Sequence, residues 1–419
     1  MAGAAAAPES AAPAVRRAGW GFIALFAAAY LGATLQLLGP LLVSLALKVS
    51  SLVGSDKAPG NLALVTGLGA FLALFANPFF GTLSDRTAGR YGMRRPWIVG
   101  GLLGGFVGLL IVAVAPTIPV VLLGWCIAQL FFNALLAAIV AVLPDQIPTS
   151  QRGLVSGVLG IGLPVASVTG TFLVQLFTGN QLAMFLAPSA IGGFFVLLFA
   201  VPLHDRRLAP ADRSAWSWRE FAGTFYVSPR KNRDFSWAFA SRFLFVSAYA
   251  FLVTFMAFYL LDEIGSAKSE VPRQIFAGTA VQALFIAAAS LVGGQLSDRT
   301  GRRKIFVVTA SIVYGLAMFA VAVAGDFNGF LVGMAISGLG FGLYMAVDLA
   351  LVADVLTGTD TAKDLGVFNV ANALPFSIAP AIASAVLAVS GGSYGVLYAV
   401  AGVCAFAGAA AILPVERVR

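Results

Sequence analysis

Gly81-Thr82-Leu83-Ser84-Asp85-Arg86-Thr87 and Gly294-Gln295-Leu296-Ser297-Asp298-Arg299-Thr300 are one loop written twice. Each copy follows a long apolar run and leads into a cluster of Arg and Lys before the next apolar run. The two aspartates lie 213 positions apart. Asp145 and Asp354 repeat at an offset of 209, and Pro164 and Pro375 at 211. Three landmarks that agree on one shift mark a duplicated chain. The working axis of such a chain is expected between its halves rather than inside either one.

Composition sets the solvent. Hydrophobic residues make up 59% of the chain and charged residues 11%, against roughly 45–50% and about 25% in soluble domains. Such a chain cannot cover a water-facing surface, so its solvent is largely lipid. A span takes about 20 apolar residues, and runs of that kind fall at 19–47, 61–83, 97–115, 118–143, 153–177, 182–202, 236–261, 272–296, 305–324, 328–356, 365–390 and 393–414. Lipid offers backbone groups no partner, so these runs are helices. The expected fold is an all-α membrane protein, twelve transmembrane helices in two pseudo-symmetric six-helix bundles, 19–202 and 236–414. Residues 1–18 and 415–419 read as cytosolic tails, the first disordered. The polar stretch 203–235 reads as a cytosolic linker in which Trp216, Trp218, Phe221 and Phe225 either form one face of a short interfacial helix or anchor the linker at the headgroups.

Orientation follows the Lys/Arg bias. With both termini cytosolic, the inside segments hold 22 basic residues and the outside segments four: Lys48, Lys57, Lys268 and Arg273. The apolar run after Arg16-Arg17 is too long for a signal-peptide core, so a retained first helix is expected. The expected location is the cell membrane, with many passes. The net charge of +8 does not point to nucleic acid, because the basic residues sit at membrane edges. Gly153/Gly157 and Gly338/Gly342 have the spacing of close helix packing.

At the paired loops the chain resembles the major facilitator superfamily. Gly294-Gln295-Leu296-Ser297-Asp298-Arg299-Thr300-Gly301-Arg302-Arg303-Lys304 is similar to that family's loop 2–3 and loop 8–9 motif in full. The first copy carries four extra residues, Ala88-Gly89-Arg90-Tyr91, before Gly92-Met93-Arg94-Arg95-Pro96-Trp97. This longer form resembles the glycoside-cation symporters and the sucrose-transporter-like branch. The exporter signature, a Gly-Pro pair in span 5, is only echoed, since Gly160-Ile161-Gly162-Leu163-Pro164 separates Gly from Pro. The resemblance implies a cytosolic gate built from Gly81, Asp85, Arg86, Arg94, Arg95, Gly294, Asp298, Arg299, Arg302 and Arg303, with Asp145, Arg152 and Asp354 at the same end. Chemistry supports such a gate independently. An Asp at a helix end accepts hydrogen bonds from a neighbouring helix N-terminus or pairs with Arg. Asp85 and Asp298 are therefore expected to latch the halves together, while Arg94, Arg95, Arg302 and Arg303 mostly orient the helices.

Ionisable groups at lipid depth are the most informative residues left. An Asp at a helix centre costs roughly 2.5–3.5 kcal/mol to insert. Asp348 lies six residues before Asp354 in span 10, about 9 Å deeper at 1.5 Å per residue. Arg242 lies at a similar depth in span 7. In the resembled family spans 1, 4, 7 and 10 line the central cavity, so an Arg242–Asp348 pair facing water is predicted. Burial favours a neutral carboxyl and an adjacent guanidinium favours the anion. A solute that engages Arg242 would leave Asp348 poised to take a proton. A static salt bridge, or an Arg242 that snorkels to the surface, is the plainer reading.

Neutral polar residues mark the rest of the expected cavity. Ser337, Phe341, Tyr344 and Asp348 share one face of span 10, and Arg242 and Tyr249 one face of span 7. Cys126, Gln129 and Asn133 form a polar stripe on span 4. Tyr30 and Gln36 mark span 1, and Asn369 and Asn372 span 11. Amides and aromatic faces suit a polyhydroxylated ligand, although each residue alone reads equally well as interhelical glue.

These features point to a secondary active transporter working by alternating access, with proton-coupled symport of a sugar or glycoside as the leading reading. Proton-coupled efflux of a drug-like or amphipathic molecule is the alternative; a pocket for it should be wider and dominated by Phe and Leu. The expected partners are a small-molecule solute, a coupling ion read as a proton ahead of sodium, and the lipid bilayer, with the chain acting as a monomer. Nothing calls for a cofactor or metal: the single His204 lies in a charged loop, and Cys126 and Cys404 lie in separate apolar runs. An enzyme would need a nucleophile with its base. An ATP-driven pump would need a Gly-rich phosphate loop ending in Lys, and a channel would have no use for duplicated latch loops.

Overall fold

The computed structural model describes residues 17–205, 207–208, 217–218, 221, 233–355 and 361–415; the side chains of 149, 150, 153, 298, 349–355 and 361–369 lie outside that description. Among the described residues twelve helices are long and apolar enough to cross a membrane. They are α1 (Trp20–Val53), α2 (Ala58–Asp85), α3 (Arg95–Val114), α4 (Ile118–Gln146), α5 (Thr149–Leu176), α6 (Gln181–Ala200), α7 (Arg233–Glu263), α8 (Val271–Thr300), α9 (Arg303–Ala322), α10 (Phe327–Val355), α11 (Thr361–Val389) and α12 (Tyr394–Ala411). The chain is a multi-pass membrane protein. Of the expected interfacial helix, Trp216 and Phe225 lie outside the described residues, while Phe221 packs edge-on against Phe79 of α2.

Local chemistry explains where the helices start. Pro59, Pro96, Pro119 and Pro272 each occupy the first turn of a helix, where a fixed φ is useful and a missing N–H is no loss. Asn180 and Ser393 cap α6 and α12 by accepting from Ala183 N (3.1 Å) and Val396 N (3.3 Å). Gly301 ends α8 in the left-handed conformation, φ 61°.

Packing obeys the duplication. In the first half α1 packs on α5 and α6, α4 on α2 and α3, and α3 on α6. In the second half α7 packs on α11 and α12, α10 on α8 and α9, and α9 on α12. Adding six to each helix number turns one set into the other. The halves meet along α2–α11 and α5–α8, two seams that the same operation exchanges. This is the relation of parallel repeats about an axis along the membrane normal. Small residues set the distances: a Cβ on Gly32 of α1 or on Gly192 of α6 would sit 2.3 Å from the other's carbonyl oxygen. Gly338 and Gly342 likewise admit the backbone of α8 at Gln282 and Ile286, but Gly157 of the other expected pair faces open space.

One departure from the sequence reading and one further feature matter. First, α1 runs on to Val53 through a π-helical turn at Pro40–Ser44. Lys48, expected in an outer loop, is therefore inside the helix and 5% exposed. Its ammonium donates to Ala113 O at the end of α3 (2.9 Å) and to Gln181 Oε1 of α6 (3.1 Å). Second, the α5–α8 seam is closed at the end away from the basic loops. There the Thr171 and Thr279 hydroxyls share a buried hydrogen bond (3.0 Å), and Phe172 packs on Phe276. Toward the basic end α5 presents Gly157 and Gly160 to open space.

Candidate functional site

A cavity of about 370 Å³ lies between the halves. The first half lines it with Leu37, Leu38 and Leu41 of α1, Thr66, Ala70 and Ala73 of α2, Gln129 and Asn133 of α4, and Leu163 of α5. The second half contributes α7 from Arg242 to Thr254, Phe341, Tyr344 and Met345 of α10, and Asn372, Ala373 and Phe376 of α11. On α7 the lining residues Arg242, Phe245, Val246, Tyr249 and Val253 recur at three- and four-residue steps, which keeps them on one face.

The charged residues at lipid depth meet. An Arg242 Nη donates to Asp348 Oδ2, and Nε donates to Asn372 Oδ1 at 2.7 Å. Tyr344 lines the cavity one helical turn from Asp348 on the same helix. Arg242 is 4% exposed and Asp348 2%, so α7, α10 and α11 are joined by a buried ion pair at the cavity wall. Around it the second half is aromatic. Phe245 and Tyr344 stack face to face with centroids 3.7 Å apart, and Tyr249 lies against Phe341 at 4.4 Å.

The other expected cavity residues divide. Gln129, Asn133, Tyr249, Tyr344 and Asn372 face the cavity. Asn133 is partly occupied, since its Nδ2 donates to Gln129 O (2.8 Å) and its Oδ1 accepts from Asn77 (3.4 Å). Gln36 does not line the cavity; it is fully buried beside Gly192 and Gly193 of α6. Tyr30 packs against Gly162 of α5 instead. Both sit where glycines let α5 and α6 come close. Ser337 accepts from Gln282 of α8 (2.9 Å) and serves as interhelical glue. Asn369 lies outside the described side chains. Sequence reasoning passed over Thr66, Phe245, Thr254 and Phe376. Phe245 lies three residues beyond Arg242, on the lining face, but a search for polar groups skips apolar ones.

At the basic end the expected gate residues form a clasp within the first half. Arg94 is the hub, pairing with Asp85 (2.6 Å) and with Asp145 of α4 (2.8 Å) and donating to Ser84 Oγ (2.5 Å). Burial opposes its charge, but hydrogen-bonded Asp145 and the nearby Asp85 outweigh it and hold its pKa above the usual value. Asp85 was expected to latch half to half; its described pairing stays in its own bundle, because Arg94 is only nine residues away on a short loop. The side chains of Asp298 and Asp354 lie outside the described ones. Asp205 Oδ2 caps α3 by accepting from Arg94 N (2.6 Å) and Arg95 N (2.8 Å). Gly92, at φ 94°, is the residue that leaves room for it: a Cβ there would lie 2.3 Å from the Asp205 carboxylate.

Two positions of the repeated loop are used alike in both halves. Gly81 faces Ala137 of α4, and Gly294 faces Ala346 of α10. Arg95 donates to Val201 O (2.6 Å) and Leu203 O (2.5 Å) at the end of α6. Lys304 donates to Leu413 O and to Val415 O (2.9 Å) at the end of α12. Arg152 turns back on its own chain, onto Ile147 O (3.0 Å) and Pro144 O (2.9 Å). Arg299 and Arg302 are exposed, and Arg86 and Arg303 are half-exposed.

The model of the Major Facilitator Superfamily matches residues 21–281 and 272–419, almost the whole chain. The chain belongs to the major facilitator superfamily. Among curated relatives, this superfamily member is 30% identical over 195 residues to the inner membrane transport protein YajR of Escherichia coli (strain K12), 45% of this chain and 40% of that one. It is 34% identical over 84 residues to the multidrug resistance protein MdtL of Klebsiella pneumoniae (strain 342), 20% of this chain and 21% of that one. The matches thus span less than half the length of these relatives. Among solved structures, a mutant of the nucleoside transporter NupG superposes with a TM-score of 0.75 at 14% identity, over 93% of this chain and 99% of that one. A peptide transporter POT mutant superposes with a TM-score of 0.70 at 16% identity, over 96% and 98%. At these identities the solved structures establish the major facilitator fold alone.

Proposed function

We propose that the protein is a secondary active transporter that expels an amphipathic solute in exchange for protons. The observation that carries this reading is the wall of the central cavity: mostly Leu, Ala, Phe, Val and Met, with one ion pair already internally neutralised. Curated relatives whose names describe multidrug resistance agree with it. The Lys/Arg bias assigns the basic end to the cytosol, which puts the Thr171–Thr279 closure of the α5–α8 seam at the outer end.

Exchange follows from the ion pair. With Asp348 ionised, Arg242 is compensated and the cavity has an apolar, neutral wall. Protonating Asp348 leaves the guanidinium without its counter-charge beside that wall, which draws in water and disfavours an apolar occupant. Proton and solute then exclude one another, which is the condition for antiport. The halves rock about the central site, and the two exchanged seams supply the alternating closures.

Sugar or glycoside symport is the second reading. Gln129, Asn133 and Asn372 in the lining favour it, as does the extended first loop. Reconstituted vesicles with an imposed pH gradient separate the two. Gradient-driven accumulation of a neutral aromatic amphiphile, abolished by Asp348→Asn, is expected. Accumulation of radiolabelled glucosides or disaccharides, with no amphiphile flux, would give the sugar reading precedence.

A further inference from the structure

The cavity holds a second pattern, made of groups with hydrogen-bonding capacity left over among the described contacts. Gln129 on the first half and Thr254 on the second are 6% and 5% exposed and line the cavity. Among the described contacts the side chains of both, and the hydroxyl of Tyr249, are without a hydrogen-bond partner. Asn372 accepts from Arg242 through Oδ1 (2.7 Å), which leaves its amide N–H groups unengaged. Thr66 donates to Leu62 O (2.8 Å) and keeps acceptor capacity. These groups come from both halves, and all are uncharged. Among the described residues the only full charge in the lining is the Arg242 guanidinium, and its described bonds run to Asp348 and Asn372.

Buried polar groups seek partners, and a buried charge needs a counter-charge. This cavity offers the first and withholds the second. A carboxylate would have to compete with Asp348 for Arg242, and an ammonium would meet that guanidinium with its only carboxylate already committed. A neutral molecule faces neither problem. Its ring would lie on the Tyr249–Phe341 surface and its polar groups would meet amides and hydroxyls from both bundles. We propose that the site selects an uncharged aromatic amphiphile, and that Gln129, Tyr249, Thr254 and Asn372 set this specificity. The inference rests on reading the central cavity as the transport site.

A matched series on one ring tests it: naphthalene-methanol (neutral), naphthoate (anion) and naphthalene-methylamine (cation), titrated onto the detergent-purified full chain near neutral pH with thermal stabilisation as readout. The neutral probe is expected to bind at least about tenfold more tightly than either ion. Gln129→Leu and Tyr249→Phe should each weaken it about threefold to tenfold, in line with one lost hydrogen bond apiece. Asp348→Asn releases the guanidinium, so naphthoate should overtake the neutral probe. Equal binding of all three probes overturns the proposal, as does no binding by any of them. So does unchanged neutral binding in both Gln129→Leu and Tyr249→Phe, each checked as folded by size-exclusion profile. Equilibrium binding needs no gradient. An intact neutral preference without proton-driven flux would therefore sink the antiport reading alone. Flux with charged and neutral probes binding equally would sink this inference alone.

Discussion

The two halves share a scaffold and differ in what they place at lipid depth. At the motif's offset Arg242 falls on Ala29, and at the offset of the Asp145–Asp354 landmark Asp348 falls on Ile139; both counterparts are fully buried apolar residues. The repeat thus preserved the parts that hold six helices together, while the ion pair belongs to one half only. The far ends show the same divergence in milder form. Lys48 of α1 donates to Ala113 O at the end of α3. Tyr259 of α7 donates to Val321 O, the same place on α9, at 2.7 Å. Position and task agree, while the chemical group differs. A fold needs something that satisfies a helix end, and either an ammonium or a phenol can do so.

That contrast can be broken experimentally, and the largest effect belongs to the ion pair. Asp348→Ala leaves a buried guanidinium without its counter-charge and should destabilise the protein by about 3–5 kcal/mol, read as a drop in detergent unfolding temperature. The double variant Arg242→Met/Asp348→Leu should recover most of that stability while losing the pH response of flux. If the double variant is as unstable as the single one, the pair is scaffold rather than site. Next is the first-half clasp. Arg94→Ala should cost roughly 1–3 kcal/mol, because Asp85 is well exposed and screened while Asp145 is more sheltered.

The far-end staples should be weaker still and should rank by charge. Lys48→Met is expected to destabilise by about 1.5–3 kcal/mol and Tyr259→Phe by about 0.5–1.5 kcal/mol. The reverse ranking would show that the phenol, with its two acceptors at Val321 and Ala324, is the stronger tie. The smallest effect on stability is expected for Thr279→Val, below about 1 kcal/mol. Its readout is conformational. Loss of the Thr171 bond should loosen the far seam and speed maleimide labelling of Gln175→Cys over the background of Cys126 and Cys404. Unchanged labelling would mean that Phe172 and Phe276 hold the seam without help.

Much of this was legible in the chain. Repeated loops, apolar runs and the Lys/Arg bias carry the duplication and the helices, because lipid permits a single solution for such runs. Arg242 and Asp348 stood out because charge at that depth is rare, and the structure pairs them. Side-chain direction was less legible. Tyr30 and Gln36 lie on α1 like cavity residues, but helical period says which residues share a face, not which neighbour that face meets. Glycines on α5 and α6 decide that, together with the π-helical turn at Pro40–Ser44, which shifts the register of α1. Lys48 was misplaced for a related reason. Hydropathy ends a span at its first charge, whereas a long side chain with carbonyls in reach lets the helix continue. Asp85 was matched to the opposite half because a sequence motif does not say which of two nearby arginine-rich surfaces it will find first.

The matched contacts of Arg95 with the end of α6, and of Lys304 with the end of α12, have a consequence for how the molecule can be taken apart. Each fastens the third helix of its half to the sixth, so each half is tied shut without borrowing a residue from the other. A cut between α6 and α7 that leaves Asp205 in place therefore breaks neither of these ties. Two separately translated fragments, ending after α6 and beginning before α7, should find one another in the bilayer and rebuild the whole.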